Sequence, residues 1–208
     1  AAYLARDRAQ WAVRARNFDA LGWASDPDYI KAIVAAGGVH PSHTVLDAGA
    51  GTGHITREVA MLAEQVVGLD LTPEMLAIAK RKIQNWNITW QVGDIRAIPY
   101  PAHHFDRSFA RMVFHGLTDD GDLEVAAREC YRTLKEGGRF VLSEGVPPTL
   151  ECVPWFEEMF SLKEQRIVLT GPRLVALLEK AGFHDVTTAY HVIPHVSLGN
   201  WLTNSGLP

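Results

Sequence analysis

The sequence has 208 residues, and its 20 Lys and Arg against 24 Asp and Glu give a net charge of −4 at pH 7. A hydrophobic fraction of 47% excludes a globally disordered chain, and the acidic balance offers no electrostatic basis for binding nucleic acid. No apolar run is long enough for a membrane-spanning helix, and two cysteines are too few for a disulfide scaffold, which favours a reducing, cytoplasmic compartment.

The first two elements in chain order are predicted to be helices. Residues 1–18 place apolar side chains on one helical face and arginines over much of the remainder, which is typical of an amphipathic helix. Asp26-Pro27 combines a helix-capping side chain with proline at the first helical position, and Gly37-Gly38 marks the end of this second helix.

Residues 44–144 alternate between strand and helix patterns. Short apolar runs bounded by Gly or Asp predict strands, and the segments between them carry helical apolar spacing. The predicted strands are residues 44–47, 66–70, 88–92, 106–113 and 139–144, and the predicted helices are 55–63, 72–86 and 119–134. This alternation predicts an α/β fold with helices on both faces of a mostly parallel sheet. After residue 145 we expect helices at 155–167 and 171–181 and a sixth strand at 186–192.

The most informative segment is the glycine-rich loop at residues 47–53, with the sequence DAGAGTG. It lies at a strand-to-helix junction, where glycines allow a tight turn and let backbone N–H groups approach a ligand. The dinucleotide-binding fingerprint requires glycine at the sixth position, but His54 stands there, and the loop lacks the lysine of a P-loop. The pattern therefore does not fit a nicotinamide or flavin dinucleotide.

Two carboxylates indicate a different ligand. Asp47 comes directly before the glycines, where it would repel a phosphate and attract a cation. Asp70 ends the second strand, where a carboxylate can accept hydrogen bonds from both ribose hydroxyls. Together they predict a site for a nucleoside that has no phosphate and carries a positive charge. S-adenosylmethionine has this composition.

On these residues and three further segments, the sequence resembles the class I S-adenosylmethionine-dependent methyltransferases. The nearest group is the small-molecule type that includes ubiquinone and menaquinone biosynthesis methyltransferases. The further segments are Gly93-Asp94-Ile95, Phe105-Asp106 followed by Arg111–Leu117, and Leu134–Arg139, in which Glu136 replaces the family's usual proline. The resemblance implies a Rossmann-like α/β sandwich, and the weak pattern after residue 192 leads us to expect that the family's last strand is missing from this chain.

The resemblance also implies S-adenosylmethionine as cofactor and a set of residues that bind it. In that set Asp70 binds the ribose, Asp94 meets the adenine amino group, and Leu71 and Met75 flank the adenine, although helix-core packing explains Met75 nearly as well. No metal is expected. The implied cofactor-binding residues are Asp47, Gly49, Ala50, Gly51, Gly53, Asp70, Leu71, Met75, Gly93, Asp94, Ile95 and Arg111.

His115 is the candidate for a catalytic role. It follows the fourth strand, at the edge where parallel sheets place functional groups, and a neutral imidazole there could accept a proton from an acceptor hydroxyl. The alternative, at even weight, is a pocket or core histidine without a proton role. Glu144, at the end of the fifth strand, is expected to bind backbone groups or solvent rather than substrate.

The expected organisation is a single methyltransferase domain with flanking segments. Residues 1–25 form an N-terminal helical lid, 26–145 the cofactor-binding core, 146–183 a helical insertion that covers the substrate, and 184–208 a C-terminal strand and tail. Aromatic side chains in the two flanking helical segments close over the substrate in this hypothesis, with core packing as the alternative. They are Trp11, Phe18 and Trp23 on one side and Trp155, Phe156 and Phe160, with Met159, on the other.

The predicted function is transfer of a methyl group to O, N or C of a small, partly apolar acceptor by in-line displacement. The alternative is a cofactor-binding protein of the same fold with another role. A macromolecular methyltransferase is disfavoured because residues 111–115 lack an Asn/Asp-Pro-Pro-Tyr-type motif and the chain is acidic. The expected partners are a small-molecule acceptor and a second copy of the chain, with no nucleic acid and no membrane span.

Overall fold

The computed structural model describes residues 9, 11–15, 19, 22–117, 119–161 and 166–192. The strands are β1 (Thr44–Ala48), β2 (Gln65–Asp70), β3 (Ile88–Val92), β4 (Phe105–Arg111) and β5 (Leu134–Ser143). The helices are α1 (Pro27–Gly37), α2 (His54–Ala60), α3 (Pro73–Lys82), α4 (Asp120–Thr133), α5 (Val153–Ser161) and α6 (Gly171–Ala181). Short 3₁₀ turns cover Gly22–Ser25, Phe114–Gly116 and Leu150–Cys152.

The strands form one parallel sheet in the order β3-β2-β1-β4-β5. The chain runs outward from β1 through β2 to β3 and then returns to the other side of β1 with β4. The strand order therefore reverses between β1 and β4, and ligands of open α/β sheets bind at such a point, outside the carboxyl ends of the strands. The glycine loop after β1 lies at this point.

The core lies on both faces of the sheet. Successive residues of a strand point to opposite faces, so Val45 and Val66 pack with α1 and α2, whereas Leu46 and Val67 pack with α4. All four side chains are 5% exposed or less. The sheet is thus covered on both sides, as the near-continuous apolar runs of its central strands predict.

The predicted ends of α1 are confirmed in detail. Asp26 accepts a hydrogen bond from the backbone N–H of Tyr29 at 2.8 Å, Pro27 takes the first helical position, and Gly38 ends the helix with φ of +56°. An L residue with a side chain rarely adopts this backbone conformation, so the glycine supplies the stop.

The five predicted parallel strands are confirmed, but β5 starts earlier than predicted. α4 passes into β5 at Leu134, so Gly137 and Gly138 lie inside β5 rather than closing the helix. Gly137 has φ of +71°, and the register between β4 and β5 shifts between Phe105 and Arg107, which allows the extra residues in the strand.

The predicted sixth strand at residues 186–192 is wrong. No described strand pairs with this segment, and its alternating apolar side chains have no buried face: Tyr190 is 72% and Val192 is 82% exposed. Alternation alone does not make a strand, because each strand needs a neighbour for its backbone hydrogen bonds. Within the helix predicted at 155–167, the described helical residues are Val153–Ser161; residues 162–165 lie outside the described residues, and residues 166–170 are irregular. Most of residues 1–18, including Phe18, and all of residues 193–208 lie outside the described residues.

Candidate functional site

A cavity opens at the carboxyl ends of β1 to β4 and encloses about 1020 Å³ including its mouth. Eleven of the twelve predicted cofactor-binding residues line it, all except Gly53. Several other lining residues were not among the predicted cofactor-binding residues: His54, Ile55, Thr72, Arg96, Met112, Val113, Gly116 and Leu117. Trp11 and Trp23, which were expected to close one side, also line it.

The glycine loop holds its backbone open toward the cavity. Gly49 and Ala50 donate their backbone N–H groups to the carbonyl oxygen of Leu69 at 2.7 and 2.9 Å, which ties the loop to β2. Gly51 has φ of +54°, and a Cβ built on it would meet no atom within 4 Å, so the space above it is free. A Cβ on Gly53 would lie 2.5 Å from Ile83 Cδ1, so Gly53 serves close packing and not the cavity.

Gly49 and Gly51 are expected to tolerate alanine differently. A Cβ on Gly49 would lie 2.1 Å from Val113 Cγ2 at a φ of +81°, so Gly49→Ala should destabilise the fold by about 3 kcal/mol or more. Gly51→Ala should cost about 1 to 2 kcal/mol for its positive φ but place a methyl group in the cavity. Thermal unfolding and calorimetric titration with S-adenosylhomocysteine separate the two effects. Unchanged affinity in Gly51→Ala would show that the ligand does not use this space.

Asp70 joins the glycine loop to the start of α3. Its two carboxylate oxygens accept the backbone N–H groups of Gly51 and Thr72, both at 2.8 Å. These bonds fix the carboxylate at the cavity wall, and a carboxylate oxygen can accept more than one hydrogen bond. Asp70 thus ties the glycine loop to the residue that precedes α3.

Asp47 is a buried carboxylate at the floor of the cavity. It is 2% exposed, and Oδ2 accepts a hydrogen bond from the Thr56 hydroxyl at 2.5 Å. Burial raises the pKa of Asp47 to about 6, although the Thr56 hydrogen bonds and the Arg111 charge act in the opposite direction. A cationic ligand group nearby would favour the ionised carboxylate.

Asp94 is paired with a residue that sequence reasoning missed. The guanidinium of Arg96 donates to Asp94 at 2.8 Å from Nη2 to Oδ2 and also forms an ion pair with Asp122 at the start of α4. Burial acts to raise the pKa of Asp94, but the hydrogen bonds and charge of Arg96 outweigh it and hold the pKa below its ordinary value. Only the position of Arg96, two residues after Asp94, could have suggested it.

Arg111 links the end of β4 to the N-terminal segment. Its Nη2 donates to the carbonyl oxygen of Ala24 at 2.7 Å, and the guanidinium lies 5.0 Å from the Tyr29 ring centroid. Its Nε is buried and has no hydrogen-bond partner among the described residues. Burial lowers the pKa of Arg111, although a guanidinium stays charged at neutral pH. The charge thus faces a cavity that also contains Asp47.

Asp19 fastens the N-terminal segment to the glycine loop. One carboxylate oxygen accepts from the Thr52 hydroxyl at 2.7 Å and from His54 Nε2 at 2.9 Å, and the other pairs with Lys82. Burial and the charges of Arg111 and Arg57 lower the pKa of His54 to about 4, so the neutral imidazole donates here. No sequence pattern indicated this contact.

His115 does not line the cavity. Its side chain is 7% exposed, and Nδ1 lies 2.8 Å from Oε2 of Glu144, whose side chain is fully buried. The other Glu144 oxygen accepts the backbone N–H groups of Val113 and Phe114, both at 2.7 Å. The expectation that Glu144 binds backbone groups is confirmed, and a base role for His115 remains a prediction.

The insertion after β5 lies away from the cavity. No residue of 146–161 or 166–183 lines it. Trp155 is 74% exposed, whereas Phe160 is buried and its ring makes an edge contact with Phe156, with centroids 5.9 Å apart. These aromatic side chains therefore divide between solvent and packing in this structure.

The described residues contain neither a membrane-spanning helix nor a candidate metal site. No helix among them is long and apolar enough to cross a membrane. No group of three His, Cys, Asp or Glu side chains in the same residues could hold a metal ion. Cys130 is buried in α4 and Cys152 is partly buried, and both are free thiols.

The residues present fit a cationic nucleoside. Gly51 leaves free space at the loop, Asp70 presents a fixed carboxylate for hydroxyl groups, and Asp47 supplies negative charge within the same cavity. A phosphate would meet both carboxylates without a lysine at the loop to balance them. Apolar walls from Leu71, Met75 and Ile95 suit a planar base between them.

Comparisons with known proteins agree with this geometry. Residues 46–142 match the family model described as "Methyltransferase domain". The chain is 34% identical over 139 residues to a demethylmenaquinone methyltransferase of Tropheryma whipplei, covering 65% of this chain and 56% of that protein. It is 33% identical over 162 residues to the demethylmenaquinone methyltransferase of Deinococcus radiodurans, covering 76% and 64%.

A solved structure shows the same fold. The YcgJ protein of Bacillus subtilis superposes with a TM-score of 0.70 at 23% identity, covering 86% of this chain and 77% of that one. The chain thus spans between half and two thirds of the length of the two demethylmenaquinone methyltransferases. The ordered motifs, the family match and the fold agree: residues 46–142 of this chain form a methyltransferase domain of the class I S-adenosylmethionine-dependent type.

Proposed function

We propose that this chain binds S-adenosylmethionine and transfers its methyl group to O, N or C of a small, partly apolar acceptor. The observation that carries the proposal is the pairing of an open glycine loop with the carboxylates of Asp47 and Asp70 in one cavity. The methyl group of this cofactor is bound to a sulfonium and is already activated for in-line displacement. The protein therefore has to bind, align and exclude water.

The chain's own residues divide these tasks. Asp70 fixes the ribose end, Asp94 is proposed to meet the adenine amino group beside Arg96, and Asp47 balances the positive charge. Arg111, with its buried Nε, is proposed to bind the carboxylate of the cofactor's amino acid end, because guanidinium groups match carboxylate geometry.

The acceptor is proposed to lie against the apolar part of the cavity. Trp11, Trp23, Met112 and Leu117 contribute apolar surface there, which would exclude water from the reacting atoms. The two relatives named above act, by their names, on demethylmenaquinone, and an apolar ring system of that kind suits these side chains.

We also propose the four-part division of the chain given by the sequence, with residues 1–25 as the lid that Asp19 fastens. The covering role of residues 146–183, a homodimer and a cytoplasmic location stay predictions.

Calorimetry and product detection test this function. The protein is titrated with S-adenosylmethionine and S-adenosylhomocysteine, and S-adenosylhomocysteine release is then followed with a panel of hydroxylated, amine and quinol acceptors. We expect saturable binding of both nucleosides and turnover with an apolar ring acceptor. Absence of binding would overturn the proposal. Binding without turnover on the whole panel would favour the alternative, a cofactor-binding protein of the same fold.

A further inference from the structure

The wall of the cavity after β4 is built on a strained turn. We call Met112, Val113, Gly116 and Leu117 the β4 wall, since all four line the cavity. Met112 has φ of +57°, a conformation that L residues with side chains rarely adopt. Strain of this kind persists where the surrounding structure overdetermines the backbone, and it concentrates at functional sites.

Glu144 supplies the constraint. Its buried carboxylate accepts three hydrogen bonds: two from the backbone N–H groups that directly follow Met112, at 2.7 Å, and one from His115 Nδ1 at 2.8 Å. The backbone N–H of Met112 itself donates to Ser143, the residue before Glu144, at 2.8 Å. The end of β5 therefore binds three successive backbone N–H groups after β4 and also Nδ1 of His115.

The β4 wall also contacts the glycine loop. Val113 fills the space beside Gly49, where a Cβ would lie 2.1 Å from Val113 Cγ2. A shift of the turn would thus change both the wall and the packing of the loop that faces the cofactor. Misplacement of about 1 Å by a change away from the reacting atoms can lower an enzymatic rate about 100-fold.

We propose that Glu144 is a positioning residue that holds the β4 wall, and that His115 serves as its hydrogen-bond partner rather than as a base. The inference rests on the proposed methyltransferase function. A histidine and carboxylate at hydrogen-bond distance also resemble a base with its orienting partner. The location of His115 outside the cavity lining favours the positioning role.

Isosteric variants separate the two roles. Asn places an amide nitrogen near the position of imidazole Nδ1, so H115N can still donate to Glu144 but cannot act as a base. E144Q keeps the volume and the oxygen that accepts from Val113 and Phe114, and its amide can donate to the other tautomer of His115. E144A removes all three acceptor bonds. E136A removes an exposed carboxylate from the same strand and is the matched control.

For each variant we would measure kcat/KM for an accepted substrate, the Kd for S-adenosylhomocysteine, and thermal unfolding. We expect H115N and E144Q to stay within about threefold of wild type in kcat/KM, and E144A to lose about 10- to 100-fold, with a smaller rise in Kd. A loss of 100-fold or more in folded H115N and E144Q would overturn the proposal in favour of a base.

Two further outcomes would also contradict it: E144A as active as E136A, or an E144A loss in kcat/KM matched by an equal rise in Kd. Should E144A fail to fold, H115A provides the test. It removes one of the three hydrogen bonds to Glu144, so its kcat/KM should be lower than that of H115N. Failure of the proposed function looks different, because wild type itself would then show no turnover.

Discussion

Replacing Asp47 with Asn is expected to change how the stability of the ligand-free protein depends on pH, so that the variant gains stability relative to wild type as the pH rises. Burial raises the pKa of Asp47 from 3.8 to about 6. The folded protein therefore holds a proton on this carboxyl more tightly than the unfolded chain does. The stabilisation that comes from this tighter proton binding is fully present below pH 4. It falls as the pH rises from about 4 to 6 and is lost above that range.

The size of the effect follows from the difference between the two pKa values, about two units, which corresponds to about 3 kcal/mol. An Asn side chain does not titrate, so any fixed cost of the new amide is the same at every pH. The free energy of unfolding of D47N relative to wild type should therefore grow by about 3 kcal/mol between pH 4 and pH 7. In a chain of this size that is a relative gain of about 6 to 12 °C in Tm.

Thermal unfolding across this pH range provides the measurement, and D106N is the control of opposite sign. Burial acts to raise the pKa of Asp106, but hydrogen bonds from Lys135 and the backbone of Thr44 outweigh it and lower the pKa. D106N should therefore lose stability relative to wild type as the pH rises. If the Tm of wild type and of D47N changed with pH in parallel, Asp47 would not be a buried carboxyl with a raised pKa.

The raised pKa of Asp47 also predicts that the affinity for a cationic ligand changes with pH. A cationic ligand favours the ionised form, so binding of S-adenosylmethionine to wild type should tighten as the pH rises from 5 to 7. D47N should bind more weakly at pH 7 and lose this pH dependence. Calorimetry at three pH values in buffers of different ionisation enthalpy would also detect the proton that wild type releases.

The strands of the sheet were predictable because their signals are local. Each central strand is an apolar run bounded by residues that stop it, and Asp26-Pro27 and Gly38 fix α1 through capping chemistry alone. The segment at 186–192 has comparable alternation, yet forms no strand, because pairing depends on a neighbour distant in sequence.

In the candidate site, too, local motifs were predictable and contacts between distant residues were not. The glycine loop, Asp70 and Asp94 belong to local motifs at strand ends, and the structure brings them together in one cavity. The sequence did not predict the contacts of Asp19, the ion pair of Arg96 with Asp122, or which backbone groups Glu144 binds, because each joins residues from different elements. Asp19 reaches Thr52 and His54, and Glu144 reaches the turn after β4. Ion pairs and carboxylate-to-backbone bonds across elements leave no periodic pattern in a sequence.

Replacing Asp70 with Ala is expected to remove most of the affinity for the nucleoside. Hydrogen bonds to a charged group contribute about 1.5 to 3 kcal/mol each, so losing two to the ribose hydroxyls should raise the Kd for S-adenosylhomocysteine about 100-fold or more. The variant also frees the backbone N–H groups of Gly51 and Thr72, which D70A leaves to solvent at the cavity wall. A modest fall in Tm should accompany the loss.

E74A is the matched control for this prediction, since Glu74 is an exposed acid in the first turn of α3 and lies outside the cavity lining. A ribose-specific readout separates recognition from loop disorder. Wild type should prefer S-adenosylhomocysteine strongly over its 2′,3′-dideoxyribose analogue, whereas D70A should bind the two nearly alike. If D70A weakens both ligands by the same factor, Asp70 acts through the glycine loop alone, and the ribose contact has to be assigned to another residue.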